Sequence, residues 1–160
     1  MSGEFLRLQS LLKECEKHKK RIERSYLKMA VFMPLDGVRF ENLTEDEIEH
    51  IDQYIFRFSK LQDVLGEKLF RSLLINLGEE VRNRSFIDIF NRLDMLEIVS
   101  DYDKWLTLRQ IRNEVSHEYD DSAEKIALKI NNIYQKKDAL LKYYDGVMEY
   151  VLKHRLLDKI

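Results

Sequence analysis

The chain has 160 residues, 44% of them hydrophobic and 35% charged, with a formal net charge of −2. That length suits one domain with its own apolar core, held without disulfides or a structural metal. A near-neutral balance excludes nucleic-acid binding through a globally basic surface, so such a function would have to rest on a local basic site.

With 5 Gly and 1 Pro the composition is poor in turn formers and favours helices over sheet. Cys15 stands alone, which rules out an intrachain disulfide and a cysteine zinc cluster and predicts a reducing, cytoplasmic compartment. Met1 to Arg24 is rich in Lys and Glu and lacks an uninterrupted apolar segment, so it does not read as a signal peptide. No run approaches the ~20 apolar residues of a bilayer-spanning helix, and no membrane association is expected.

In chain order, the first predicted helix runs from Glu4 to Ala30, with Phe5, Leu8, Leu12, Cys15, Ile22, Tyr26 and Met29 on one face. Pro34 and Gly37 break it, and the chain is expected to stay irregular to Leu43. Thr44-Glu45-Asp46-Glu47 is a capping-box pattern that opens a long helix to Leu77, with Ile48, Ile51, Ile55, Phe58, Leu61, Leu65, Leu69 and Leu73 inward and Gly78 as its stop. Ser85 is expected to cap a shorter helix carrying Phe86, Ile89, Phe90, Leu93 and Leu96.

Ser100 is expected to cap the next helix, with Asp101 and Asp103 at its positive dipole end and Trp105, Leu108, Ile111 and Val115 inward. Asp120-Asp121-Ser122 makes a turn and cap. A final long helix from Ala123 to Leu152 or beyond buries Ile126, Ile130, Ile133, Leu140, Tyr144, Val147 and Val151. Neither an internal repeat nor a second domain is evident. The expected fold is all-α, one antiparallel bundle of about five helices over residues 1–160.

The densest chemistry lies in Arg112-Asn113-Glu114-Val115-Ser116-His117-Glu118-Tyr119, near the end of an amphipathic helix. Arg offers a permanently charged fork for phosphate oxygens, and His exchanges a proton near neutral pH. On a helix of ~100° per residue, Arg112 and Tyr119 fall on nearly one line and Asn113 and His117 on another. Arg112 and His117 stand roughly 140° apart around the axis. They converge only if a groove wraps the helix end, if the last turn loosens, or if a second protomer supplies half the site. A two-fold dimer would bring two Arg112 and two His117 to one cleft.

Arg112-x-x-x-x-His117-x-Tyr119 resembles the R-x4-H-x-Y signature of HEPN domains, specifically the HepT toxins of HEPN/MNT toxin–antitoxin pairs, and Asn113 directly after the Arg is also usual in HEPN ribonucleases. Arg57-Phe58-Ser59-Lys60-Leu61-Gln62-Asp63 looks like a second helix of the family type. The resemblance implies a HEPN-like bundle with the motif on its penultimate helix, and a homodimeric endoribonuclease that works without metal or other cofactor. It implies that Arg112 positions the scissile phosphate, that His117 transfers a proton during 2′-OH attack, and that Asn113 supports the phosphate or His117. It further implies an MNT-type nucleotidyltransferase antitoxin that adds AMP to Tyr119.

The plainer readings are structural. An Arg-x4-His pair is by default a solvated helix face, and Tyr119 can pack its ring at a helix end with its hydroxyl in water. Ser116 and Glu118 read as solvent-facing or capping groups. Arg57 and Asp63 could reach the motif across the bundle, although a surface ion pair is the expected role. His18, His50 and His154 have no ligand-spaced partners and read as surface or boundary residues. Lys17-His18-Lys19-Lys20-Arg21 reads as a wet face that could secondarily attract RNA. The alternative function is a non-catalytic subunit that presents a nucleotide or other acceptor to a minimal nucleotidyltransferase; a purely structural dimeric bundle is a third.

Overall fold

The computed structural model describes residues 2–116, 122–154 and 156, and among these every regular element is a helix. Helix α1 (Gly3–Met29) opens on Ser2, whose hydroxyl accepts a hydrogen bond from the Phe5 amide at 3.2 Å. Leu8, Leu12, Cys15, Ile22 and Met29 turn inward at the predicted steps, while Phe5 and Tyr26 are half-buried. The stretch expected to be irregular contains one short helix, α2 (Gly37–Glu41), capped by the Asp36 carboxylate. Asn131 holds the connection before it. Its side-chain amide accepts from the Leu35 N–H at 2.8 Å and donates to the Leu35 carbonyl at 2.7 Å.

Helix α3 (Glu45–Val64) begins at the expected capping box: Thr44 Oγ1 accepts from the Glu47 amide and Glu47 Oε1 accepts from the Thr44 amide. It passes through one π-helical turn, Leu65–Leu69, into α4 (Phe70–Asn76). The long helix is therefore present, but with an extra residue wound into its middle, a device common at functional sites. Gly78 ends it at φ +82°, a left-handed position that suits glycine. Ile48, expected inward, is 42% exposed, because it sits in the first turn of α3 where the cover is incomplete.

Ser85 caps α5 (Phe86–Met95) as expected. Helix α6 (Tyr102–Val115) starts one residue later than the sequence implies: its cap is Asp101, not Ser100. Asp101 adopts φ +66°, and its carboxylate accepts from the Lys104 amide at 3.1 Å. The Tyr143 hydroxyl donates to the Asp101 carbonyl at 2.9 Å and ties the turn down. Ser122 caps the following helix as predicted; Asp120 and Asp121 lie outside the described residues.

The predicted final helix is two: α7 (Ala123–Tyr134) and α8 (Lys137–Lys153). The reason is tertiary. At the break the Lys136 amide turns back to the Ile133 carbonyl, and the buried Tyr54 hydroxyl donates to the Ile133 and Tyr134 carbonyls at 2.7 and 3.2 Å. A side chain of α3 thus takes up backbone acceptors that a continuous helix would have used itself. With this split, Arg112 and Asn113 lie on the third helix from the C-terminal end rather than the penultimate one.

Helix α3 is central. It runs antiparallel to α1, since Tyr26 meets Tyr54 and the end of α4 returns to the start of α1, where Asn76 Nδ2 donates to the Glu4 carbonyl. Helix α8 also runs against α1, with Tyr144 bonded to Leu12 and Glu16, and Lys19 paired with Asp145. Helix α6 crosses the far side of α3 in the opposite sense, Arg112 facing Ser59 and Trp105 facing Gln62 and Gly66. The core beneath is aromatic: Trp105 lies 5.4 Å from Phe70, 5.8 Å from Phe86 and 5.1 Å from Tyr143, centroid to centroid.

Candidate functional site: an arginine-lined cleft between α3 and α6

The last described turn of α6 places Arg112 and Asn113 on adjacent positions, with Val115 anchored in the core. Asn113 is exposed. Arg112 is not a solvated side chain: it is 20% exposed and bound across the bundle to Asp63. Its Nη1 donates to Asp63 Oδ1 and, at 3.3 Å, to the Ser59 carbonyl, while Nη2 donates to Asp63 Oδ2 at 3.4 Å. Two parallel N–H···O bonds to one carboxylate fix the plane of the guanidinium.

This corrects the surface role expected of Asp63. Its carboxylate is the partner of the motif arginine, and α3 brings the two together because α6 runs antiparallel across it. Five N–H donors sit on a guanidinium, and the contacts to Asp63 and Ser59 engage the end-on edge. The side-on edge, Nε–H with the second Nη2 proton, carries no hydrogen bond within the described chain. The arginine is thus held by its end-on edge, with its side-on edge unpaired among the described residues.

Arg57 does not reach the motif. Its Nη1 lies 3.1 Å from His18 Nδ1, and its guanidinium packs on the Phe56 ring at 5.4 Å. His18 is accordingly buried, at 6% exposure, which corrects its reading as a surface or boundary residue. Burial, and then the Arg57 charge, push its pKa below the usual imidazole value, against the pull of Glu14. Helical periodicity explains the miss: in Lys17-His18-Lys19-Lys20-Arg21 the neighbours Lys17, Lys20 and Arg21 face water while His18 falls on the inner line. His50 is half-buried and His154 exposed beside Tyr150. Cys15 is buried, its thiol pushed up to about 12 by desolvation and then by Glu14, and takes no part in the site.

The Arg112 side chain helps line a cleft of about 290 Å³, walled by Gln62, Asp63, Gly66 and Glu67 on one side and Trp105 and Arg109 on the other. The π turn makes this wall possible. A methyl group at Gly66 would lie 2.9 Å from Trp105 Cζ2, so only glycine lets the indole lie against the helix backbone there. Arg71 also lines the cleft but is committed, donating to the Val81 and Arg84 carbonyls at 3.3 and 3.0 Å and so holding the loop before α5.

Sequence reasoning missed Gln62, Gly66, Trp105 and Arg109 as parts of this cleft. A signal existed: Gln62 follows Phe58 by four residues on the buried stripe of α3, where a polar side chain is out of place, and Arg109 precedes Arg112 by one helical turn. Ser116 Oγ donates back to the Arg112 carbonyl at 3.2 Å, the capping role expected of it. His117, Glu118 and Tyr119 lie outside the described residues. Among the described residues no three His, Cys, Asp or Glu side chains gather as a metal site, and no helix is long and apolar enough to cross a membrane. No family model matches the chain, and no curated protein or solved structure is significantly similar to it.

Proposed function

We propose that this chain is a metal-independent endoribonuclease of the HEPN type, the toxin of a HEPN/MNT toxin–antitoxin pair, acting as a homodimer. One observation carries the reading beyond the sequence motif. The arginine of Arg112-x-x-x-x-His117 is held by Asp63 and Ser59 through its end-on edge, while its side-on donor pair makes no hydrogen bond to any described residue. A surface arginine has no need of such support; a phosphate ligand does, because preorganised donors lose least on binding.

On this reading the open edge of Arg112 binds the non-bridging oxygens of the scissile phosphate. The ribose 2′-oxygen attacks phosphorus as the His117 imidazole takes its proton, the P–O5′ bond breaks, and the imidazolium so formed gives the proton to the leaving 5′-oxygen, which leaves a 2′,3′-cyclic phosphate and a 5′-hydroxyl. Proton transfer of this kind contributes about 10²–10⁴ in rate. Arg112 stabilises the charge that grows on the phosphorane. Asn113, exposed beside it, is free to meet the same phosphate. Tyr119 follows two residues after His117, so AMP attached to its hydroxyl by the nucleotidyltransferase partner adds charge and bulk where RNA must enter.

The test is RNA cleavage by the purified chain in EDTA. Cleavage persists, and Arg112→Ala lowers it by about 10²–10³-fold with the fold retained; His117→Ala lowers it as well. Cleavage that is absent or needs a metal refutes the proposal. Nucleotide binding with no cleavage supports instead a substrate-presenting subunit of a minimal nucleotidyltransferase.

A further inference from the structure

Two residues that line the cleft beside Arg112 each hold, buried in its wall, a polar atom that no described residue satisfies. Gln62 and Trp105 are each 2% exposed, and Gln62 Oε1 and Trp105 Nε1 are both buried with no hydrogen-bond partner among the described residues. Their only mutual tie is a bond of 3.4 Å from Gln62 Nε2 to the Trp105 carbonyl. A buried acceptor and a buried donor left without partners are costly, and in native proteins such groups call for an explanation. Both side chains line the same 290 Å³ space.

The chemistry of that space selects its occupant. An inorganic anion would satisfy the indole N–H but meet the Gln62 carbonyl oxygen unfavourably. An apolar group would satisfy neither. A ligand that offers one donor and one acceptor on a single planar edge satisfies both, and every nucleobase carries such an edge. Phe86 lines the cleft too, half-buried and stacked on Trp105 at 5.8 Å and 29°, so an aromatic wall stands beside the polar pair. Arg109 and Arg112 line the cleft with positive charge for a phosphate joined to that base, beside the carboxylates of Asp63, which Arg112 already pairs, and Glu67. The volume is at the low end of the ~300–1,000 Å³ of small-molecule sites, which suits a single base rather than a stretch of RNA.

We infer that the cleft between α3 and α6 is a nucleobase pocket, in which Gln62 and Trp105 read the edge of the base whose phosphate Arg112 holds. This rests on the reading of Arg112 as a phosphate ligand. Unstacked bases of single-stranded RNA are recognised in this way, by an aromatic wall together with hydrogen bonds to the base edge. The π turn then has a purpose: it lays Gly66 beneath Trp105 and so opens the wall on which the base is held.

Trp105 is the sole tryptophan, so its emission reports directly on the cleft. The whole chain is titrated with each of the four 5′-mononucleotides and, separately, with inorganic phosphate, and calorimetry provides an affinity independent of the fluorophore. At least one mononucleotide is expected to bind roughly tenfold more tightly than phosphate and to change the Trp105 emission. In Gln62→Met, which keeps the length of the side chain and removes its carbonyl, that preference falls about fivefold. Should this buried variant fail to fold, Phe86→Leu at the half-buried wall is read the same way.

Nucleotides that bind no better than phosphate, or a folded Gln62→Met with its preference intact, overturn the pocket. Cleavage of RNA in EDTA, run in parallel, separates the two readings. A base preference without cleavage retains the pocket and removes the nuclease. Cleavage without any base preference does the reverse.

Discussion

Arg112 shows how little of an arginine's role is visible from its neighbours in sequence. On an isolated helix it would be a solvated cation; in the fold it is clamped by a carboxylate 49 residues away. That pair is partly exposed, at 20% and 38% for the two side chains, so its worth to stability is small, about 1 kcal/mol. Its worth to aim is larger. Asp63→Asn is expected to lower Tm by only a few degrees, about 2–4 °C per kcal/mol in a domain of this size, yet to reduce kcat for RNA cleavage about tenfold with little change in KM. Steady-state kinetics decides it, and an unchanged kcat would show that Asp63 does no more than cover charge.

His18 makes a separate prediction at the same scale. Its pKa is depressed, so the folded chain takes up the proton less readily than the unfolded one. The stability linked to it is complete above the unfolded value of about 6.5 and is lost as pH falls from there toward the depressed folded value. Thermal melts from about pH 8 to about pH 5 should therefore show a loss of Tm on the acid side that is smaller in His18→Gln. Identical acid limbs would remove His18 as the cause.

Among the elements, the break between α7 and α8 is the clearest departure from local expectation. Nothing in Asn131-Asn132-Ile133-Tyr134-Gln135-Lys136-Lys137 is a helix breaker of the Pro or Gly kind. What divides the helix is Tyr54, which reaches from α3 and donates to two carbonyls at the corner. Tyr54→Phe keeps the ring in the core and removes the donor, leaving those acceptors buried without it. We expect a loss of about 1–3 kcal/mol, measured by urea denaturation. A neutral result would mean that the corner is set by packing alone.

For the whole molecule, the proposed homodimer has a consequence that a single-chain site would not share. If the guanidinium of one protomer serves the imidazole of its partner, Arg112→Ala and His117→Ala chains are each inactive but regain activity when mixed. Their heterodimer holds one site in which both intact residues meet. Mixing the two purified variants in EDTA and following RNA cleavage tests this; no recovery, with subunit exchange shown to occur, would place Arg112 and His117 of one chain at the same site.

Much of the scaffold could be read from local patterns because its causes are local. Apolar residues at three- and four-residue steps place α1 and α3, and short-range hydrogen bonds cap the helices at Thr44, Ser85 and Ser122. The position of the cap at Asp101, the π turn at Leu65–Leu69 and the corner at Gln135–Lys136 were not legible, since each meets a side chain from a distant element, Tyr143, Trp105 and Tyr54 in turn. The motif named Arg112 as a phosphate-binding candidate. Only the tertiary structure decided that Asp63 aims it and that Gln62, Gly66 and Trp105 wall a cleft beside it, because those residues are remote along the chain and meet solely through the crossing of α3 and α6. Hydrogen bonding within a helix acts over four residues and can be read in sequence; the pairing of helix faces acts over the whole chain and cannot.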